Sequence, residues 1–237
     1  MPTRKPVLQI LEILEAAYGL PENTRRFEPM DELVSCILSQ HTSDLNSFPA
    51  FHRLKAHYKD WQDLIDRGQP ELAEVIKAAG LANQKSKNII RCLAEIKEKN
   101  GDYTLDNLRT MEPLEARAWL MELPGIGPKT ASIVLCFSLD MDILPVDTHV
   151  YRVTWRVGFI PENSGESKAH DLLLKVVPKG LAFRFHMDLI HHGRAVCKAP
   201  VPHCEQCPIT QYCRWFKHGG PENRRKELRS RRKRVGA

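Results

Sequence analysis

Apolar residues recur at three- and four-residue spacings along most of this chain. Val7, Leu8, Ile10, Leu11, Ile13 and Leu14 form one such run, and Leu33, Val34, Ile37 and Leu38 another. Ile89, Ile90, Leu93 and Ile96 repeat the pattern, as do Ile133, Val134 and Phe137. This period lays an apolar stripe along one face of a helix. Alternating β-branched and polar runs are scarce, and no Asn-Gly or Asp-Gly turn separates two strand-like runs. Pro113 suits a first helical position, and Gly19, Gly80 and Gly101 suit helix stops. The expected fold is all-α, with about a dozen short helices, no internal repeat and no long linker.

One segment breaks the pattern. Residues 197 to 213 are rich in Pro, Cys and His and carry too little apolar surface to fold by burial. Cys197, Cys204, Cys207 and Cys213 follow a C-x6-C-x2-C-x5-C spacing there. Four thiols within such a loop can wrap one metal centre, and both a structural zinc and an iron–sulfur cluster accept four thiolates. Zinc sites usually pair their thiols in two C-x2-C knuckles and only one occurs here, which leans towards iron–sulfur without deciding it. Disulfides fit less well, because the N-terminal segment is amphipathic and lacks the continuous apolar core of a signal peptide, so reduced thiols are expected. The other cysteines, Cys36, Cys92 and Cys136, lie on apolar stripes and read as core residues.

Composition narrows the picture further. Hydrophobic residues are 42% of 237, enough for a core. No apolar run of about 18 residues suggests a membrane span, so a cytoplasmic, nucleoid-associated protein is expected. The formal charge of +6 is unevenly placed. Residues 221–237 hold eight basic and two acidic side chains, which accounts for the whole of it. This tail is expected to be disordered, either solubilising the chain or attracting phosphate in a salt-dependent way.

The stretch Leu123 to Ala131, LPGIGPKTA, carries the sharpest local chemistry. Gly125 and Gly127 flank Ile126, allowing backbone angles that let amides converge, and a helix follows at once. Amides at a helix N-terminus bind phosphate. Lys129 in that first turn can serve as a phosphate ligand or as an amine nucleophile. For nucleophilic attack its pKa must fall from about 10.4, and a helix dipole and partial burial both push that way. Asp147, before another amphipathic segment, can cap its helix, and a fixed carboxylate can also stabilise positive charge on a sugar.

Taken together, these segments resemble the endonuclease III family of helix-hairpin-helix DNA glycosylases. The hairpin LPGIGPKTA, the segment VDTHVYRV with its aspartate 18 residues beyond the lysine, the lead-in HGRAVC and the cysteine loop carry the likeness in that order. The resemblance covers about residues 7 to 215. It implies a two-lobed all-α fold, with a six-helix barrel over residues 25–139 ending in the hairpin. Residues 1–24 and 140–220 would form the second lobe, with the active site between the two. Cys197, Cys204, Cys207 and Cys213 would hold a [4Fe-4S] cluster.

By the same resemblance, Lys129 falls on the family's nucleophile and Asp147 on its essential aspartate. The implied partner is double-stranded DNA containing damaged bases or abasic sites, bound by a monomer. A damaged pyrimidine is turned out of the stack, Lys129 attacks C1′, and β-elimination cuts the strand 3′ to the lesion. Gln40 and Leu81 would wedge into the gap, with Gly125, Ile126, Gly127, Thr130 and His149 as further DNA contacts. Pro128 departs from the family, many of whose members carry a basic residue there, and His41 is not the commonest residue at its position. Competing readings are a mismatch-directed glycosylase of the same fold, which lacks this lysine, and a non-catalytic DNA-binding module.

Overall fold

The computed structural model describes residues 4–24 and 27–226. No strand occurs among the described residues, and two compact units emerge. One runs from residue 24 to 143; the other combines the residues up to 23 with those from 144 onwards.

The continuous unit contains six α-helices among its described residues: α2 (Pro29–Ser39), α3 (Asp44–His57), α4 (Trp61–Val75), α5 (Ala82–Asn100), α6 (Pro113–Met121) and α7 (Pro128–Ile133). Their apolar stripes meet in a core where Leu33, Ile37, Phe51, Leu64, Leu72, Ile89, Leu93 and Leu120 are essentially inaccessible. Each such side chain contributes roughly 1.5–3 kcal/mol on burial. Pro29, Pro113 and Pro128 open their helices, where the missing N–H costs nothing. Gly101 closes α5 in the left-handed conformation, at φ +77°, and its N–H donates to the Lys97 carbonyl. α7 runs straight into a π-helical turn, Val134–Ser138, which the regular apolar spacing did not forecast.

The discontinuous unit pairs α1 (Arg4–Tyr18) with the later helices α8 (Thr148–Val157), α9 (Gly165–Leu174), α10 (Ala182–Ala195) and α11 (Arg214–Lys217). Val7, Ile10, Leu11 and Leu14 of α1 join Val150, Val153, Phe185 and Leu189 in one core. Arg184 clamps Glu15 through two hydrogen bonds of 2.7 Å, tying α10 to α1. The cysteine loop has only two short 3-10 turns, Cys204–Gln206 and Thr210–Tyr212, as its composition implied.

One expectation needs correction. Residues 220–226 are helical, not disordered from 221. Gly220 and the buried Pro221 begin this turn against the Trp215 indole, and a Cβ at Gly220 would stand 2.2 Å from the ring. The rest of the expected tail, 227–237, lies outside the described residues. No helix of the described residues is long and apolar enough to cross a membrane.

Candidate nucleic-acid interface and metal loop

The hairpin is built by exclusion of side chains. Gly125 has φ +78°, and a Cβ there would stand 2.7 Å from Asn88 Nδ2 on α5. The backbone angle therefore demands glycine, and a Cβ would also push the Asn88 side chain aside. Ile126 is buried and donates its N–H to the Leu123 carbonyl at 3.2 Å, which closes the turn. Gly127 precedes α7 with extended backbone, and Pro128 takes the first helical position. The first-turn N–H groups of a helix have no intrahelical acceptor. Ala131 N–H is the first to close back, reaching the Gly127 carbonyl at 3.0 Å. The amides of Lys129 and Thr130 thus remain for a ligand, while Pro128 offers none.

Thr130 presents that amide only, because its side chain is buried. Lys129 is exposed, so the partial burial expected of it is not met. Lys129 lies in the first turn of α7, where a positive charge beside free amides favours anions.

Gln40 joins this hairpin. It is the C-cap of α2, and its Nε2 donates to the Gly125 carbonyl at 3.0 Å. Leu81 is 55% exposed, which excludes the reading of it as a core leucine. It sits in the left-handed region at φ +48°, immediately before α5. Behind both stretches lies a residue that sequence reasoning missed. Lys85 is buried, and its Nζ donates to the Leu38 carbonyl at 2.6 Å and to the Ala79 carbonyl at 2.7 Å. One ammonium therefore clasps the end of α2 and the turn before Leu81. Burial lowers the Lys85 pKa, and two carbonyl dipoles offset part of that cost. The signal was visible: Lys85 falls on the same helical stripe as Ile89, Cys92 and Ile96, where a lysine is out of place.

Asp147 belongs to the discontinuous unit and is almost fully buried. It caps α8, its Oδ1 accepting from the Val150 N–H at 2.7 Å. Two buried histidines, also missed from sequence, fix the backbone before it. His170 Nε2 accepts from the Val146 N–H at 3.1 Å, and His186 Nδ1 donates to the Pro145 carbonyl at 2.9 Å. His149 packs with its Nδ1 2.9 Å from Arg152 Nη2, and burial lowers its pKa. Gly193 of the HGRAVC segment explains itself here. A Cβ on it would stand 2.9 Å from His149 Cβ, so only glycine lets α8 and α10 approach this closely.

Cys197, Cys204, Cys207 and Cys213 are unpaired and half-buried, and all four border one cavity of about 20 Å³. Among the described residues, no group of three or more His, Cys, Asp or Glu is set as a ready metal site. The surroundings nevertheless suit a thiolate-bound centre. Arg156 Nη1 lies 3.3 Å from Cys197 Sγ, the Phe216 N–H points to Cys213 Sγ at 3.5 Å, and His192 Nε2 lies 3.6 Å from Cys207 Sγ. Tyr18 orients that histidine through its Nδ1 at 2.9 Å. Burial pushes the free thiols up, Cys204 to about 11 and Cys207 to about 12. Cys36, Cys92 and Cys136 are buried core residues, as expected, and burial pushes Cys92 and Cys136 to about 12.

An all-helical chain with a glycine-built hairpin, an exposed lysine after it and a four-cysteine loop belongs to a narrow class. Residues 34–179 match the model of the HhH-GPD superfamily of base excision DNA repair proteins. Endonuclease III of Thermotoga maritima is 31% identical, over 87% of this chain and 92% of the relative. Endonuclease III of Escherichia coli K12 is 32% identical, over 88% and 94% respectively. A trapped endonuclease III–DNA covalent intermediate superposes with a TM-score of 0.78 at 28% identity, covering 92% of this chain and 99% of that one. The chain belongs to the endonuclease III family within the HhH-GPD superfamily of base excision repair proteins.

Proposed function

We propose that this base excision repair DNA glycosylase also cleaves abasic sites, acting on oxidised pyrimidines in duplex DNA through a Schiff base on Lys129. The observation that carries this reading is an exposed lysine in the first turn of a helix whose free amides suit a phosphate. A DNA backbone held there brings a sugar within reach of an amine. The Lys129 nitrogen attacks C1′ as the glycosidic bond breaks, and the departing base takes the bonding pair. Ring opening gives an imine, and loss of a C2′ proton then expels the 3′ phosphate by β-elimination. A neutral amine is needed for the first step. Asp147, held by its cap, would stabilise positive charge developing on the sugar and assist proton transfer.

Extruding the base leaves a gap. Leu81, exposed and apolar, suits a wedge between base steps. Gln40 keeps its side-chain oxygen and one amide hydrogen for the orphaned base while it braces the hairpin. Cys197, Cys204, Cys207 and Cys213 would hold a [4Fe-4S] cluster. When bound, the cluster supplies the cross-link that a loop with so little apolar surface lacks. Arg156, His192 and the Phe216 amide would then donate to its thiolates.

Borohydride added to the protein with abasic-site duplex is expected to trap a covalent adduct, which Lys129→Gln abolishes. A folded protein that traps nothing ends the lyase reading and favours a monofunctional glycosylase. Trapping by Lys129→Gln would move the nucleophile elsewhere. Iron and acid-labile sulfide are expected in the purified protein; stoichiometric zinc without iron would overturn the cluster assignment.

A further inference from the structure

Lys85 stands on an apolar stripe of α5 and is buried there with Ile89, Cys92 and Ile96. An apolar side chain would pack at that place without the cost of desolvating an ammonium. Lys85 instead turns its ammonium onto two carbonyls of other elements. Each of those carbonyls lies two residues before a wedge residue. Leu38 is near the end of α2 and leads to Gln40; Ala79 ends the 3-10 turn Lys77–Ala79 and leads to Leu81. The bonds of 2.6 and 2.7 Å meet at one nitrogen, so the two stretches cannot part without breaking one of them.

The backbone of the same residue adds a third hold. Lys85 N–H donates to the Leu81 carbonyl at 3.0 Å, so residue 85 grips the turn at both Ala79 and Leu81. Leu81 sits at φ +48°, where a side chain is strained. Such an angle persists only where the surroundings impose it. Here they do so around an apolar side chain that is left exposed.

The other stretch is tied to the hairpin. Gln40 Nε2 donates to the Gly125 carbonyl at 3.0 Å. Asn88, one turn beyond Lys85 on α5, packs against the bare Cα of Gly125. α5 thus spaces Gln40, Leu81 and the hairpin amides against one another. Two loose turns would each have to be ordered on DNA, at the expense of binding; a pair fixed beforehand avoids that.

We propose that Lys85 is a positioning residue for the opening of DNA, setting Gln40 and Leu81 as one two-pronged wedge that enters the gap of an extruded nucleotide as a unit. The proposal rests on the wedge roles given above to Gln40 and Leu81, and not on the Schiff base of Lys129. A duplex with a tetrahydrofuran abasic analogue opposite 2-aminopurine tests it with the full-length holoprotein. Fluorescence of that base rises when its stacking is broken, and the analogue forms no imine, so the signal reports insertion without chemistry.

The natural protein is expected to raise the fluorescence at saturation, and both Lys85→Met and Leu81→Ala to cut that rise about fivefold. Ile96→Ala, a core loss further along α5, should lower the melting temperature and keep the full rise, which separates positioning from stability. Lys85→Gln keeps a donor in place and should lose part of the rise; it decides the matter if Lys85→Met does not fold. A full rise in a folded Lys85 variant overturns the proposal, as does an equal loss in Ile96→Ala or no rise with the natural protein. A rise without borohydride trapping would refute only the lyase reading, and trapping without a rise only this proposal.

Discussion

At Gly125 a single missing methyl group decides the shape of the hairpin. Its φ of +78° and the Asn88 amide at 2.7 Å from the place of a Cβ act together. Alanine there costs about 1–2 kcal/mol for the backbone angle alone, and the contact with Asn88 adds to it. Gly125→Ala is expected to lower the melting temperature and to weaken retention on abasic duplex, since the carbonyl that Gln40 grips would shift. Adding Asn88→Ala should recover part of the stability by removing the contact, but not the part due to the angle. Unchanged melting and DNA retention in Gly125→Ala would show that the turn tolerates a side chain. Lys129 works differently, for its value lies in being exposed. Its substitution should leave melting nearly unchanged while abolishing the borohydride adduct.

Between elements, the decisive group is Lys85. It holds the end of α2 and the turn before α5 to one ammonium, so the stretches carrying Gln40 and Leu81 share a common support. Lys85→Met removes both bonds and leaves two buried carbonyls unmet, at a cost of about 1–3 kcal/mol. Hydrogen exchange should quicken at residues 39–43 and 80–83 while α10, in the other unit, keeps its protection. Equal loosening of α10 would mean that Lys85 stabilises the protein globally. This clasp also marks how far the sequence could be read. Helices were legible because burial imposes a 3.6-residue period on Leu, Ile and Val. The hairpin was legible because its glycines and Pro128 answer to local backbone geometry. Lys85, His170, His186 and the fit of Gly193 against His149 depend on partners 6 to 47 residues away, and no local rule predicts those. The π turn after α7 and the ordered start of the basic tail escaped for the same reason: packing overrode the local pattern.

The stability of the whole molecule should carry the imprint of one core acid. Asp188 of α10 is fully buried, and neither carboxylate oxygen has a hydrogen-bond partner. Burial, and then the nearby Glu15 on α1, raise its pKa from 3.8 to about 7, with Arg184 one turn earlier pulling the other way. One turn later on the same helix, burial lowers the His192 pKa to about 4, and Tyr18 of α1 bonds its ring at 2.9 Å. The folded protein thus keeps a proton on Asp188 that the unfolded chain releases above about pH 4. Stability from this group is complete below the unfolded value and is lost as pH rises through about 7. Between those limits the slope approaches at most about 1.4 kcal/mol per pH unit. Asp188→Asn keeps the size of the protonated acid but cannot ionise. Denaturation midpoints measured at several pH values between about 5 and 8 should fall more steeply for the natural protein than for this variant. Their difference should shrink or change sign as pH rises. Parallel curves would mean that Asp188 does not set the slope and that its buried oxygens are matched by something other than a proton.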